Sequence, residues 1–151
     1  MRLVSPEEAQ SLFAAPLFCD ECSDWMPWNL QPTTVVSTAG VMKEDGSSAM
    51  LIVELLYTRT HKTKKIEYRF TVFRRQIWGN DPVYQLHIRQ SADSMKHLHS
   101  HPHEHIGNRR EAGDASWMDW GYDEVLAFFC KRTNITFRPP PCHPEHFALK
   151  S

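Results

Sequence analysis

Alternation of apolar and polar side chains between residues 49 and 89 is the feature that most constrains the fold. Three successive segments carry an apolar residue at nearly every second position, which is the period of strands that bury one face. Residues 79–82, Gly-Asn-Asp-Pro, separate the last two segments as a turn. We therefore expect an antiparallel meander whose polar face holds Arg69, His87 and Arg89 close together.

Two helices are expected to flank this meander. Ser5, Pro6 and Glu8 have the order of a capping box at the start of the first helix. The second helix is predicted from about Tyr122 to Arg132, with acidic residues in its first turn and basic residues in its last turn. This charge order favours a helix because it opposes the helix dipole at both ends.

The 151 residues are interpreted as one domain, since no internal repeat or linker interrupts them. The predicted fold class is α+β: a curved antiparallel sheet of four to five strands packed against two helices. Residues 1–32 are expected to be a helix with an irregular, proline-rich lead-in, and residues 33–110 the meander with a histidine-rich segment. Residues 111–151 would supply the second helix and a C-terminal tail, with a short edge strand at 135–137.

The net charge of −1 conceals a division along the chain. Residues 1–54 carry two basic and eight acidic side chains, residues 55–110 carry eleven and four, and residues 111–151 carry four and six. The basic middle third suits a polyanionic partner, although the same charges could equally solvate the sheet.

Membrane and export signals do not stand out in the sequence. No apolar run approaches the roughly 18 residues of a membrane helix, and the first residues lack the apolar core of a signal peptide. We therefore expect a cytoplasmic protein with no membrane partner.

Histidine occupies every odd position from His97 to His105. In an extended chain these imidazoles all project to the same side. Imidazole titrates near neutral pH, so one ring can accept a proton while another donates one, as metal-independent cleavage of RNA requires. Alternate histidines also suit a zinc ion, and a histidine-rich solvated edge would need no function at all. Spacing alone does not select among the five.

The cysteines suggest a second, weaker candidate site. Cys19 and Cys22 have the spacing of half a structural zinc site, and Cys142 with His146 could supply the other half. Ordinary, partly buried thiols are the favoured alternative.

The order of these elements resembles a family of small bacterial and phage-borne proteins, which in turn resemble the TumE-like toxins of toxin–antitoxin pairs. The resemblance is carried by His97, by residues 102–106 (Pro-His-Glu-His-Ile) and by the tail from Phe128 to Pro140. It implies an RNA-cleaving toxin from a defence or mobile-element context. In that case His103 and His105 match the His-x-His pair, and His97 matches an upstream histidine.

The leading hypothesis is a metal-independent ribonuclease that needs no cofactor. His103 and His105 would form its acid/base pair, with His97 as a further catalytic candidate. Its partners would be RNA and a small antitoxin protein that covers the histidine-lined face. The predicted substrate contacts are Arg69, His87, Arg89, Arg109 and Arg110.

Two other functions remain open. A non-enzymatic inhibitor could bind a host defence protein through Trp117 and Trp120, because aromatic residues dominate binding hot spots. A zinc-dependent hydrolase would use the same histidines as metal ligands.

Overall fold

The computed structural model of the chain describes residues 3–29, 31–60, 65–90 and 101–147. Within these ranges nine strands form one mixed sheet in the order β8-β7-β6-β5-β4-β3-β1-β9, and β2 also pairs with β3. The strands are β1 (Leu17–Cys19), β2 (Met26–Trp28), β3 (Gln31–Lys43), β4 (Ser48–Thr60), β5 (Lys65–Gln76), β6 (Gly79–Gln90), β7 (His103–Ile106), β8 (Arg109–Ala112) and β9 (Ile135–Phe137).

The prediction of a sheet with four to five antiparallel strands is wrong. The long meander of β3 to β6 is present, but the sheet continues beyond it on both sides. The lead-in that was expected to be irregular contributes β1 and β2, and the histidine-rich segment contributes β7. Strand β9 runs parallel to β1, so the sheet is mixed. Strands of three or four residues are too short to show a period, and their pairing with neighbouring strands of the sheet determines them.

The helices begin and end close to the predicted positions. Helix α1 (Pro6–Leu12) has the capping box, in which the Ser5 hydroxyl accepts from the Glu8 amide and the Glu8 carboxylate accepts from the Ser5 amide. Helix α2 (Tyr122–Thr133) ends at Asn134, whose left-handed backbone terminates it. Neither helix is long and apolar enough to cross a membrane, and no other described helix is.

Helix α2 packs against one face of the sheet, here called the inner face. The Phe129 ring lies edge-on to Phe70 on β5, with centroids 5.7 Å apart, and 5.9 Å from Tyr84 on β6. Tyr122, at the other end of the helix, contacts the same Phe70. These rings are fully or almost fully buried. Because side chains alternate along each strand, the opposite, outer face carries Glu67, Arg69, His87, Arg89, His103 and His105.

Glu104 is an exception, since its carboxylate is buried on the inner face. It accepts hydrogen bonds from the Tyr84 hydroxyl at 2.7 Å and from Nε of Arg132 on α2 at 2.9 Å. Burial, and then the nearby Glu104 charge, raise the pKa of Tyr84 well above its ordinary value, so the phenol keeps the proton it donates. Glu104 thereby fixes β7 to both the neighbouring strand and the helix.

Removal of this carboxylate should destabilise the fold. Glu104→Ala leaves the buried Tyr84 hydroxyl without its acceptor and opens a cavity, so we expect a loss of about 2–4 kcal/mol in the free energy of unfolding. Urea denaturation measures it. Glu111, directly opposite on β8 and paired with Arg109 at the surface, is the matched control. Glu111→Ala should cost less than about 0.5 kcal/mol, and equal losses for the two variants would contradict the anchoring role.

Candidate functional site

The outer face of the sheet brings together polar side chains from β5, β6, β7 and β8. Cross-strand pairing places Arg69 beside His87, and His87 beside His103. The next row places His105 beside Arg110. Pairing in an antiparallel sheet puts such side chains roughly 5 Å apart, so residues up to 41 positions apart in sequence, as Arg69 and Arg110 are, share one surface.

Three of these residues, His87, His103 and His105, form what we call the histidine cluster. The ring centroids of His87 and His103 are 5.0 Å apart, and those of His103 and His105 are 5.1 Å apart. His103 occupies the corner of the cluster, because His87 lies across the strand pair and His105 lies two residues along the same strand. The sequence pattern predicted that His103 and His105 share a side, and the structure adds His87 to them.

The contacts of His103 select one tautomer of its neutral ring. Its Nδ1 lies 2.9 Å from the carbonyl oxygen of His101, which can only accept a hydrogen bond, so Nδ1 carries the proton. Arg110 lies 3.4 Å from the same Nδ1 and cannot donate to a protonated nitrogen. The lone pair of the neutral ring is therefore on Nε2, the arrangement that a general base requires.

Glu67 on β5 is the charged centre of the outer face. Its Oε2 lies 2.6 Å from His87 Nε2 and accepts from Arg89 at 3.1 Å, while Arg69 is 3.8 Å away. Burial alone would raise the pKa of Glu67, but the hydrogen bonds and charges of His87 and Arg89 outweigh it and lower the pKa to about 2. An ionised Glu67 therefore accepts a hydrogen bond from His87 Nε2 and holds the His87 ring in place.

The five predicted substrate contacts divide between the two faces. Arg69, His87 and Arg89 lie together on the outer face, as the alternation predicted. Arg110 joins them from β8, where it is exposed. Arg109, its neighbour in sequence, pairs with Ile106 on the other face and forms an ion pair with Glu111 at 3.0 Å. The structure therefore brings four of the five to one surface.

One further carboxyl lies on the outer face. Glu54 on β4 pairs with Thr71, in the row next to Arg69. Burial raises the pKa of Glu54, and the charge of Arg69 opposes that shift. On this face the three guanidinium groups of Arg69, Arg89 and Arg110 outnumber the two carboxyl groups of Glu54 and Glu67. The face therefore carries excess positive charge.

The structure gives less support to the candidate zinc site than to the histidine cluster. Cys19 is buried on β1, Cys22 is half-buried and Cys142 is exposed, while His146 lies in the 3-10 helix Pro144–His146. Burial, and then the neighbouring Cys22 and Cys130, raise the pKa of Cys19 to about 12, which disfavours the thiolate that zinc binds. In the described ranges no group of three or more His, Cys, Asp or Glu residues is arranged to hold a metal ion.

The tryptophans of the inhibitor hypothesis lie in and beside the 3-10 helix Ala115–Asp119. Trp117 and Trp120 are stacked with centroids 5.2 Å apart, and both contact Phe128 on α2. Each is half-buried against the core. This packing accounts for both indoles without a partner protein.

A cleft opens on the outer face beside Glu67. It has a volume of about 140 Å³. Its walls come from the hairpin of β2 and β3 and from the outer face of β4 and β5. The lining residues are Trp28, Gln31, Thr34, Leu56, Thr58, Glu67 and Arg69.

Sequence reasoning missed two parts of this surface. The alternation places Glu67 on the polar face, yet nothing in a single sequence marks a carboxylate as the partner of a histidine on another strand. Trp28 lies in the lead-in that was expected to be irregular. His97 lies outside the described residues.

No protein-family model, curated protein or solved structure matches this chain.

Lowering the pH should reveal how much the ionised Glu67 carboxylate stabilises the fold. Its depressed pKa means that its ionised form stabilises the fold fully above its ordinary pKa of 4.5, and that this stabilisation is lost as the pH falls toward 2. We expect the advantage of the wild type over Glu67→Gln in the free energy of unfolding to shrink by up to about 3 kcal/mol across this range.

Urea denaturation at a series of pH values measures this difference. Glu44→Gln, at an exposed position between β3 and β4, is the matched control and should follow the wild type throughout. A Glu67→Gln variant whose stability runs parallel to that of the wild type across the acid range would contradict the role of Glu67.

Proposed function

We propose that this protein is a metal-independent ribonuclease that cleaves RNA at the histidine cluster. The observation that carries the proposal is the contact of His103 with both His87 and His105. Acid/base cleavage of a phosphodiester requires titratable groups that lie close together, with positive groups such as guanidinium beside them. The cluster also needs no metal in order to act.

In the proposed reaction an RNA 2′-hydroxyl attacks the adjacent phosphorus. One imidazole accepts the 2′-hydroxyl proton, the bond from phosphorus to the 5′-oxygen breaks, and a second imidazolium gives its proton to that oxygen. The products are a 2′,3′-cyclic phosphate and a 5′-hydroxyl. His103 is suited to the base by the lone pair on its Nε2, and His105, less buried than His103, to the acid.

The remaining groups of the outer face have supporting roles in the proposal. Arg110 is exposed beside His105 and would stabilise the charge that develops on the phosphate oxygens. Arg69 and Arg89 are held by Glu67, so they are positioned in advance of binding. His87 would be a positioning residue for His103, since it lies between Glu67 and the His103 ring.

The proposal includes a cellular role. A ribonuclease that acts on cytoplasmic RNA would be toxic unless a second protein blocked it. We therefore propose that the chain is the toxin of a two-gene module and that a small antitoxin covers the outer face.

Cleavage of a mixed single-stranded RNA pool by purified protein tests the reaction. We expect cleavage in the presence of EDTA, with 2′,3′-cyclic phosphate ends. His105→Gln should lower the rate by about 10²- to 10⁴-fold, because it removes a proton donor. Loss of cleavage in EDTA, restored by zinc, would move the histidines into a metal site. No cleavage by folded protein in either condition would overturn the proposal.

Two neighbouring arginines provide a matched pair for the phosphate contact. Arg110→Ala should lower kcat/KM at least about tenfold, which corresponds to about 1.4 kcal/mol of transition-state stabilisation. Arg109→Ala removes the same charge from the opposite face and should leave kcat/KM unchanged. Equal effects of the two substitutions would indicate a general loss of positive charge and would contradict a site on the outer face.

A further inference from the structure

We propose that the cleft beside Glu67 binds one unpaired nucleobase of single-stranded RNA, stacked on Trp28. The RNA part of this inference rests on the proposed function, and the base-binding part rests on the cleft itself. The cleft has a volume of about 140 Å³, below the roughly 300–1,000 Å³ of sites that hold a drug-sized ligand, so we assign it a single ring and not a whole nucleotide.

The lining of the cleft suits a flat ring with polar edges. Trp28 supplies a half-buried indole, and Leu56 supplies an apolar floor that is 6% exposed. Gln31 is exposed at the rim, and its amide can both donate and accept, as a base edge requires. Stacking on an aromatic side chain with hydrogen bonds to the base edge is the common way in which proteins bind single-stranded RNA.

Two hydroxyls complete the polar lining. Thr34 Oγ1 and Thr58 Oγ1 lie 2.8 Å apart and share one hydrogen bond, in which either can be the donor. The pair therefore keeps a second hydroxyl hydrogen that can point into the cleft. Thr34 is only 3% exposed, Thr58 is half-buried, and both line the cleft.

The position of the cleft connects it to the histidine cluster. Glu67 and Arg69 form one of its walls, and the same Glu67 carboxylate lies 2.6 Å from His87 Nε2. A nucleotide whose base occupies the cleft would therefore direct its phosphate past Arg69 toward the histidines. This arrangement provides the positioning that acid/base cleavage needs.

The shape of the cleft favours an unpaired base. The ring must enter between the hairpin of β2 and β3 and the outer face of the sheet, and a base inside a duplex cannot leave its stack without a cost of a few kcal/mol. The substrate class that fits the cleft is therefore single-stranded RNA.

Titration with 5′-nucleoside monophosphates, followed by calorimetry, tests base binding without any cleavage. We expect at least one of the four monophosphates to bind the wild type. Trp28→Ala should weaken its affinity about five- to hundredfold, the range that removal of a stacked base contact gives. Trp28→Phe should retain most of the affinity, because a stacking ring remains.

Trp78 provides the matched control, since it is exposed at the turn between β5 and β6. Trp78→Ala should leave the affinity unchanged. Circular dichroism of each variant establishes that it is folded, and Trp28→Leu replaces Trp28→Ala if the alanine variant is not. Binding that is insensitive to Trp28, or absent in folded wild type, would overturn the cleft as a base site.

The outcomes separate this inference from the proposed function. Monophosphate binding that depends on Trp28, together with no RNA cleavage, would support the cleft and overturn the nuclease. RNA cleavage that is unchanged by Trp28→Ala, together with no monophosphate binding, would support the nuclease and overturn the cleft.

Discussion

The ion pair between the buried Glu104 carboxylate and the exposed Arg132 guanidinium is the interaction on which the arrangement of the outer face depends. Strand β7 is four residues long, and a slip of one residue would turn His103 and His105 into the core. Glu104 lies between them in sequence, and its carboxylate is held on the inner face by Arg132 and by the Tyr84 hydroxyl. The two imidazoles must therefore lie on the outer face, beside His87.

The two faces of the sheet therefore have different roles. The inner face stabilises the fold, and the outer face carries the candidate functional groups. The inner face is filled by aromatic rings that pack edge-on against α2, and this packing requires no particular residues on the other side. The outer face is free to collect charged groups, provided that each partly buried charge has a partner of opposite sign. Glu67 fulfils this condition for Arg69, Arg89 and His87, and the same carboxylate joins the histidine cluster to the cleft.

The local parts of the fold could be predicted from the sequence, whereas the parts that depend on distant partners could not. The capping box of α1 and the charged first and last turns of α2 each depend on a few neighbouring residues, so both could be predicted. The alternation in β5 and β6 likewise predicted that Arg69, His87 and Arg89 share a face. Strand β9 (Ile135–Phe137) lies where the sequence predicted a short edge strand, but its parallel pairing with the distant β1 could not be predicted, and the three-residue strands β1 and β2 are too short to show a period. The same reason explains why the Glu67 partnership and the Trp28 cleft were missed.

The most direct measurement of the central claim is an NMR titration of the imidazole signals with a 2′-O-methyl RNA tetranucleotide, which cannot be cleaved. If the histidine cluster is the site where RNA binds, the signals of His87, His103 and His105 should shift together and give one common Kd. The signal of His143, which packs against Tyr122 in the core with ring centroids 5.0 Å apart, should remain unchanged. Saturating shifts elsewhere in the protein, with the three clustered imidazoles unmoved, would contradict the account.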